Sequence, residues 1–264
     1  MPQVSVVIPN YNGSQLLSKH LPAVIKALRQ NDEIIIVDDS SQDNSVQWLK
    51  EVFIPSTKVP IKLLVNDHNL RFGATVNRGV AAAQYGLVLL LNNDVSPKPD
   101  LLKHLLPHFS HPEVFAVGCL EIEDEAERKP SGKNKLWFER GLFFHSRSDD
   151  LEAGETAWAV GGSAMFDREK WLELGGFDSA YYPAYWEDID LSYRAKQRGW
   201  SVLFEPNAQV YHRHETTNQD IFGQEKIKQI SWRNAQRFLW KNGTLVQKLL
   251  WILWQPYWWW QRLK

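Results

Sequence analysis

Leu87-Val88-Leu89-Leu90-Leu91-Asn92-Asn93-Asp94-Val95 is the stretch on which the fold of this chain turns. Five apolar residues followed at once by three polar ones read as a fully buried strand with a polar tip. A short apolar run suits a buried strand or a buried helix equally well. The flanks decide: Gly86 precedes the run and Ser96-Pro97-Lys98-Pro99 closes it, which leaves too little room for a helix. In an open α/β sheet, ligands sit beyond the carboxyl ends of the strands. Asp94 is therefore expected at a binding crevice, where its carboxylate suits a hard divalent cation, Mg²⁺ or Mn²⁺, that bridges phosphate oxygens. Taken alone, Asn-Asn-Asp is also ordinary turn chemistry after a strand.

Upstream, Val4 to Ile8 reads as a first buried strand, broken by Pro9-Asn10-Tyr11-Asn12-Gly13. Ser14 is a plausible N-cap for a helix carrying Leu16, Leu17, Leu21, Ile25 and Leu28 at helical spacing. Ile34 to Val37 forms a second strand, ending in Asp38-Asp39-Ser40-Ser41. Asp43 or Asn44 opens a short helix with Val46, Leu49 and Val52, Ile61 to Val65 makes the third strand, and Gly73 to Ala83 is helical. This alternation predicts an α/β fold, a doubly wound and mostly parallel sheet of Rossmann-like type. Acidic or amide tips recur on one edge, at Asp38-Asp39 and Asn93-Asp94. A three-glycine dinucleotide loop and a phosphate-binding P-loop are both absent from the place after the first strand. A nucleotide crevice here would rest on aromatic stacking and carboxylates.

Composition narrows the class. With 264 residues the chain suits one large α/β domain or two small ones. A formal charge of −1 gives no general case for nucleic-acid binding. The single cysteine, Cys119, excludes an internal disulfide framework and fits a reducing compartment. Met1-Pro2-Gln3 leads straight into a strand with no visible secretory signal, and no segment approaches the ~20 apolar residues of a spanning helix.

Glu121 to Glu155 reads as charged and irregular, with Pro130-Ser131-Gly132-Lys133 as a loop tip. Trp158 to Met165 is an apolar strand interrupted by Gly161-Gly162, and Gly162 permits close approach of a ligand. A simple bulge would explain the glycines as well. Tyr181-Tyr182-Pro183-Ala184-Tyr185-Trp186 then forms an aromatic platform of the kind that stacks on sugars. Glu187, Asp188 and Asp190 crowd the first turn of a helix ending at Gly199, as the helix dipole favours. Trp186, Glu187 and Gly162 are the residues here expected to contact a bound sugar. Farther on, His212 and His214 at i and i+2 would share one face of a strand, but no cysteine or third histidine lies near to complete a zinc site.

Together these motifs resemble family 2 glycosyltransferases of the GT-A fold, and most of all the bacterial rhamnosyltransferase-like enzymes of surface-polysaccharide assembly. The resemblance rests on Val4 to Gly13, Ile36 to Ser41, Leu91 to Asp94, and Glu187-Asp188-Ile189-Asp190-Leu191-Ser192-Tyr193-Arg194. It implies that Pro9, Tyr11 and Asp39 hold nucleobase and ribose, and that Asn69, Gly73 and Asn77 line the nucleotide site. The family's Asp-x-Asp metal motif stands here as Asn92-Asn93-Asp94. Asn93 is thus implied at the donor and Asp94 as the metal ligand, with His212 reaching the metal or the diphosphate. Asp188 is implied as the catalytic base.

The last quarter changes character. After Glu225 there is no acidic residue, while eight cations run from Lys226 to Lys264. Leu245 to Trp254 is apolar, Pro256 interrupts it, and Tyr257-Trp258-Trp259-Trp260 follows. Tryptophans beside cations suit the lipid headgroup level, so a membrane surface is an expected partner, against the alternative of a helix docked on the domain. The expected organisation is a GT-A domain over residues 1–220 and a Trp-rich helical extension over 221–264, in a cytoplasmic protein peripheral to the inner face of the plasma membrane. The expected activity is inverting transfer of a sugar from a nucleotide-sugar donor to a saccharide or lipid-linked acceptor. The alternatives are a sugar nucleotidyltransferase and an inactive nucleotide-sugar-binding module.

Overall fold

The computed structural model describes residues 2–123, 129–212 and 223–262. Its first half runs β1 (Val4–Asn10), α1 (Ser14–Ala27), β2 (Glu33–Asp38), α2 (Ser45–Trp48), β3 (Ile61–Val65), α3 (Arg71–Ala82), β4 (Leu87–Leu91), β5 (Val95–Pro97) and α4 (Leu101–Leu105). The second half runs β6 (Val114–Ile122), β7 (Asn134–Glu139), β8 (Leu142–Arg147), β9 (Gly154–Glu155), β10 (Ser163–Asp167), α5 (Arg168–Glu173), α6 (Glu187–Gln197) and β11 (Ser201–His212). Three helices close it: α7 (Gln224–Asn242), α8 (Leu245–Leu253) and α9 (Gln255–Arg262).

β4 is the buried strand its composition requires. Leu87, Leu89 and Leu91 enter one apolar cluster, with Leu17 and Leu21 of α1. Val88 and Leu90 enter another on the opposite face, with Val76 and Val80 of α3. Burial on both faces is why the run shows no alternation of apolar and polar residues. The main sheet is ordered β3-β2-β1-β4-β10-β6-β11-β5, with β9 paired to β11. β3, β2, β1 and β4 are parallel, so their carboxyl ends share one edge.

The other half of the sheet departs from the parallel expectation. β10 runs antiparallel between β4 and β6, and β5 lies antiparallel on β11, while β6 and β11 are parallel. The strand–helix alternation that imposes parallel pairing stops at β4; beyond it the chain returns across the sheet in both directions. The result is a mixed α/β sheet with parallel pairing concentrated in its first half.

Several local expectations are corrected. Gly13 occupies the N-cap position of α1, and Ser14 instead donates its N–H to Asp43 Oδ2 at 2.9 Å. Of the Trp158–Met165 region only Ser163 to Met165 is strand, the start of β10. The segment after β6 contains the β7–β8 hairpin, turned by Arg140-Gly141 with both residues at positive φ, as two-residue hairpin loops favour. Ser131 and Gly132 form no loop tip: both are buried, and Ser131 pairs with Glu121. A Cβ at Gly132 would stand 2.1 Å from the Cys119 carbonyl oxygen, so only glycine lets the chain pass there.

The three C-terminal helices, from Gln224 to Arg262, are docked on the rest. The boundary expected at residue 220 falls outside the described residues, but α7 lays Ala235, Phe238 and Leu239 against Leu142 and Phe143 of β8, and against Trp186 and Ile189. Trp251 of α8 is buried in the same cluster, and Trp258 packs on Phe144 and Trp232. The outer face stays bare: Leu245 and Leu253 are each 73% exposed and Trp259 is 66% exposed. Among the described residues, no helix is long and apolar enough to cross a membrane.

Phe238 is fully buried and meets Phe143, Trp186 and Tyr193 ring to ring. Phe238→Ala is expected to cost about 3–5 kcal/mol through lost burial and the cavity left behind. Denaturant unfolding with an unchanged m-value is the measurement. A loss near zero would mean that α7 is not part of the cooperative fold.

Candidate functional site

The carboxyl edge of the parallel strands is braced by its own polar tips. Asn10 Nδ2 donates to Asp38 Oδ2 at 2.8 Å, Asn93 Nδ2 donates to Asn10 Oδ1 at 2.8 Å, and Ser41 Oγ donates to Asp38 Oδ2 at 2.7 Å. The ends of β1, β2 and β4 are thereby locked together. A Cβ on Gly13 would lie 2.2 Å from Asn93 Nδ2, which explains the glycine closing Pro-Asn-Tyr-Asn-Gly. Pro9 and Tyr11 flank Asn10, both half-buried at the rim of this brace.

Three residues expected to touch the nucleotide also carry structural bonds within the protein. The Asp39 carboxylate accepts from Asn66 Nδ2 (2.7 Å), Leu70 N–H (2.7 Å) and Arg71 N–H (2.8 Å). It holds the loop before α3 against β2, so most of its acceptor capacity is used. Asn69 Oδ1 accepts from the Arg71 N–H within that loop. The Asn77 amide clamps Phe177 at both ends, accepting from its N–H at 2.9 Å and donating to its carbonyl at 2.8 Å. Gly73 faces the same phenylalanine, with ordinary contact distance for an added Cβ. Spacing along the sequence could not reveal these partners, because Phe177 lies a hundred residues from Asn77.

Asp94 and His212 do meet. His212 Nε2 lies 3.3 Å from Asp94 Oδ1, an ion-pair distance at which Oδ1 has no aligned hydrogen bond among the described residues. Its Nδ1 lies 3.1 Å from Glu121 Oε1. Burial works against a charged ring here, but the two carboxylates outweigh it and push the imidazole up to about 10. A small divalent cation spaces neighbouring ligands about 3 Å apart, so the Asp94–His212 pair fits one, on condition that the ring gives up its proton. Among the described residues no group of three or more such side chains forms a ready-made metal cage. Oxygens of a ligand or water would complete the coordination. Glu121 was missed from the sequence, where it stood among other acids of a charged stretch. His214 lies outside the described residues.

The second cluster surrounds Asp188 and meets the first at one turn. The Gly161 N–H faces Asp188 Oδ2 at 3.4 Å, the Gly162 carbonyl accepts from Asn92 N–H at 2.9 Å, and Ser163 Oγ donates to Glu121 Oε1 at 2.6 Å. A Cβ at Gly162 would stand 2.4 Å from Asn92 Nδ2; that glycine serves the approach of β4's tip. Burial raises the Asp188 carboxyl above the ordinary range, with Glu121 adding to it. Burial and then the Asp188 charge raise the neighbouring Glu187 as well, and its Oε2 is buried with no hydrogen-bond partner among the described residues. The third acid is structural. Asp190 is fully buried and binds Tyr181 Oη (2.9 Å), Arg194 Nε (2.7 Å) and Asn242 Nδ2 (2.7 Å).

The aromatic platform is corrected. Trp186 is 3% exposed and packs against Phe238 and His145, so its ring offers no face for stacking on a sugar. Tyr181 is buried too. Tyr185 and Trp186 both stand in the left-handed region, at φ 72° and 79°, a strain of about 1–3 kcal/mol each that the surroundings must sustain.

Comparison with known proteins gives a family model, glycosyl transferase family 2, matching residues 5–175. A pre-mycofactocin glycosyltransferase of Mycobacterium tuberculosis is 28% identical over 218 residues, which cover 82% of this chain and 44% of that protein. An N-acetylglucosaminyl-diphospho-decaprenol L-rhamnosyltransferase of the same organism is 26% identical over 244 residues, covering 81% of this chain and 78% of that protein. The crystal structure of GalNAc-T7 with UDP, GalNAc and Mn²⁺ superposes with a TM-score of 0.73 at 18% identity, over 90% of this chain and 48% of that one. The shared architecture is GT-A. The chain spans less than half the length of the first of these relatives.

Asp39→Ala would strand Asn66 Nδ2 and the N–H groups of Leu70 and Arg71. The expected cost is about 2–4 kcal/mol of stability, from donors left unpaired in a mostly buried place. Chemical denaturation is the check. An unchanged midpoint would show the carboxylate to be free for a ligand rather than committed to this loop.

Proposed function

The chain belongs to glycosyl transferase family 2, and on that footing we propose that it moves one sugar from a nucleotide-sugar donor to a hydroxyl of a saccharide or lipid-linked acceptor, inverting the anomeric carbon. One observation carries this reading. The Gly161-Gly162-Ser163 turn touches the tip of β4, the Asp188 carboxylate and Glu121, bringing a base and an anion-handling pair to the same crevice. The rhamnosyltransferase among the relatives supports a hexosyl or deoxyhexosyl donor and a place in surface-glycan assembly.

Asp188 accepts the proton of the acceptor hydroxyl as that oxygen bonds to the anomeric carbon. The bond from that carbon to the diphosphate oxygen breaks, and the nucleoside diphosphate leaves with the electron pair. One base and one displacement invert the configuration. Glu187, raised first by burial and then by the Asp188 charge, keeps its proton more tightly than an exposed acid and leaves the base role to Asp188. Pro9, Tyr11 and Asn93 line the donor side, where the brace between β1 and β4 keeps them fixed. Asp39 and Asn69 shape that side through the loop before α3, and Gly73 and Asn77 through Phe177. Asp94 and His212 would hold Mg²⁺ or Mn²⁺, whose charge neutralises the departing diphosphate. Glu187 and the Gly161-Gly162 backbone face the acceptor.

The outer face of α8 and α9 suits a membrane surface, the cytoplasmic leaflet in this reading. Leu245, Val246, Leu249, Ile252 and Leu253 are all more than half exposed, Trp254, Trp259 and Trp260 lie beyond them, and Lys248 sits on the same helix. Apolar side chains at that density, with ~1 kcal/mol per nearby cation on an anionic leaflet, give reversible attachment.

Asp188→Asn is expected to abolish transfer while donor binding persists, since the amide fills the same space and cannot take the proton. In the wild type, kcat/KM should fall as pH drops through an acid limb lying above the ordinary carboxylate value of about 4, because burial raises Asp188. Hydrolysis and transfer assays with UDP-, dTDP- and GDP-sugars read both. Near-wild-type transfer in the variant would remove Asp188 from the mechanism.

Co-sedimentation with anionic vesicles tests the surface. Leu249→Glu combined with Leu253→Glu should move the protein from pellet to supernatant without touching the buried cluster. Wild-type protein that stays in the supernatant would end the membrane reading.

A further inference from the structure

One face of α7 binds almost every carbonyl of the turn that leads into Asp188. Asn234 is fully buried, and its Nδ2 lies 3.1 Å from the Tyr181 carbonyl, 2.9 Å from that of Ala184 and 2.9 Å from that of Tyr185. Three carbonyls around one amide nitrogen leave the side chain a single sensible orientation. Arg233 Nη2 donates to the Tyr182 carbonyl and Arg237 Nη1 to that of Ala180, each at 2.5 Å. Ser231 Oγ accepts from Trp186 Nε1 at 3.2 Å. From Ala180 to Tyr185, only the Pro183 carbonyl lacks a bond from this helix.

We propose that Asn234 is a positioning residue, whose amide clasps the 181–185 turn and so aims Asp188 at the acceptor hydroxyl. The proposal rests on the transfer reading above. The clasp has a specific load to carry. Tyr185 and Trp186, both left-handed and both aromatic, immediately precede Glu187 and Asp188, and a turn released from Asn234 relaxes toward ordinary backbone angles. That relaxation swings the first turn of α6. The body of α6 is anchored separately, through Asp190 to Lys241 and Asn242 and through Arg194 to the Leu174 and Gly176 carbonyls. Loss of the clasp therefore loosens the end bearing the base while the helix stays docked. A misplacement of about 1 Å at a reacting group is enough for a hundredfold loss of rate.

Asn234→Ala, shown to be folded by circular dichroism, is compared with the wild type in steady-state transfer. The expected result is a kcat lower by roughly ten- to hundredfold, with donor KM and nucleoside-diphosphate affinity unchanged. The acid limb of the pH profile should also move down toward the ordinary carboxylate range, because Asp188 and the neighbouring Glu187 become wetter. A purely structural role would lower the melting temperature and leave the pH limb in place. If Asn234→Ala does not fold, Ser231→Ala combined with Arg237→Met decides, with a severalfold loss of kcat expected. Asp188→Asn in the same assay keeps the two readings apart: transfer surviving there overturns the base assignment. Loss there, together with wild-type kcat and pH limb in the folded clasp variant, overturns the clasp alone.

Discussion

Three strands of this protein, β1, β2 and β4, are buried almost wholly on both faces, and that constraint shapes the rest. A strand with no wet face has little room for polar side chains in its interior, so the polar chemistry is driven to the carboxyl edge. There each group needs a partner, because a buried donor or acceptor left unpaired costs about 1–3 kcal/mol. Asn10, Asp38, Ser41 and Asn93 satisfy one another across three strands, and the edge becomes rigid as a consequence. A rigid edge is what a positioning surface for a nucleotide requires.

The reversal of β10 then assembles the chemistry. An antiparallel strand beside β4 brings its own amino-terminal turn, Gly161-Gly162-Ser163, to the same edge at which β4 ends. Small residues are needed because Asn92 and the chain at Asp188 approach the turn from two sides. Glu121, at the end of β6, reaches both Ser163 and His212, and so ties the Asp94–His212 pair to the turn beside Asp188. The charge arrangement is self-consistent: the His212 ring, its pKa pushed up, sits between two carboxylates, and among the described residues no cationic side chain is hydrogen-bonded to the two raised acids, Glu187 and Asp188.

The C-terminal helices contribute in two directions. Their inner side completes an aromatic cluster of Phe143, Trp186, Phe238 and Trp251, and holds a strained turn in place through backbone carbonyls. Their outer side leaves leucines and tryptophans in water. One helical unit thus serves the geometry of the crevice with one face and presents an apolar surface with the other.

The sequence by itself determined the first four strands of the sheet, because short β-branched and apolar runs bounded by polar or turn residues, and for β4 by Gly86 and Pro97, leave no room for helices. It also pointed to the family, since Asp38-Asp39, Asn92-Asn93-Asp94 and Glu187-Asp188 resemble motifs of family 2 glycosyltransferases. Local pattern could go no further. That Asp39 is spent on the loop at Leu70 and Arg71, that Asn77 clamps Phe177, and that Trp186 is packed rather than displayed were decided by tertiary structure alone. So were the antiparallel course of β10, the β7–β8 hairpin and the part played by Glu121. Each depends on a partner tens of residues away, and hydrogen bonds and packing act through space, whereas hydrophobic periodicity records only which side of an element is dry.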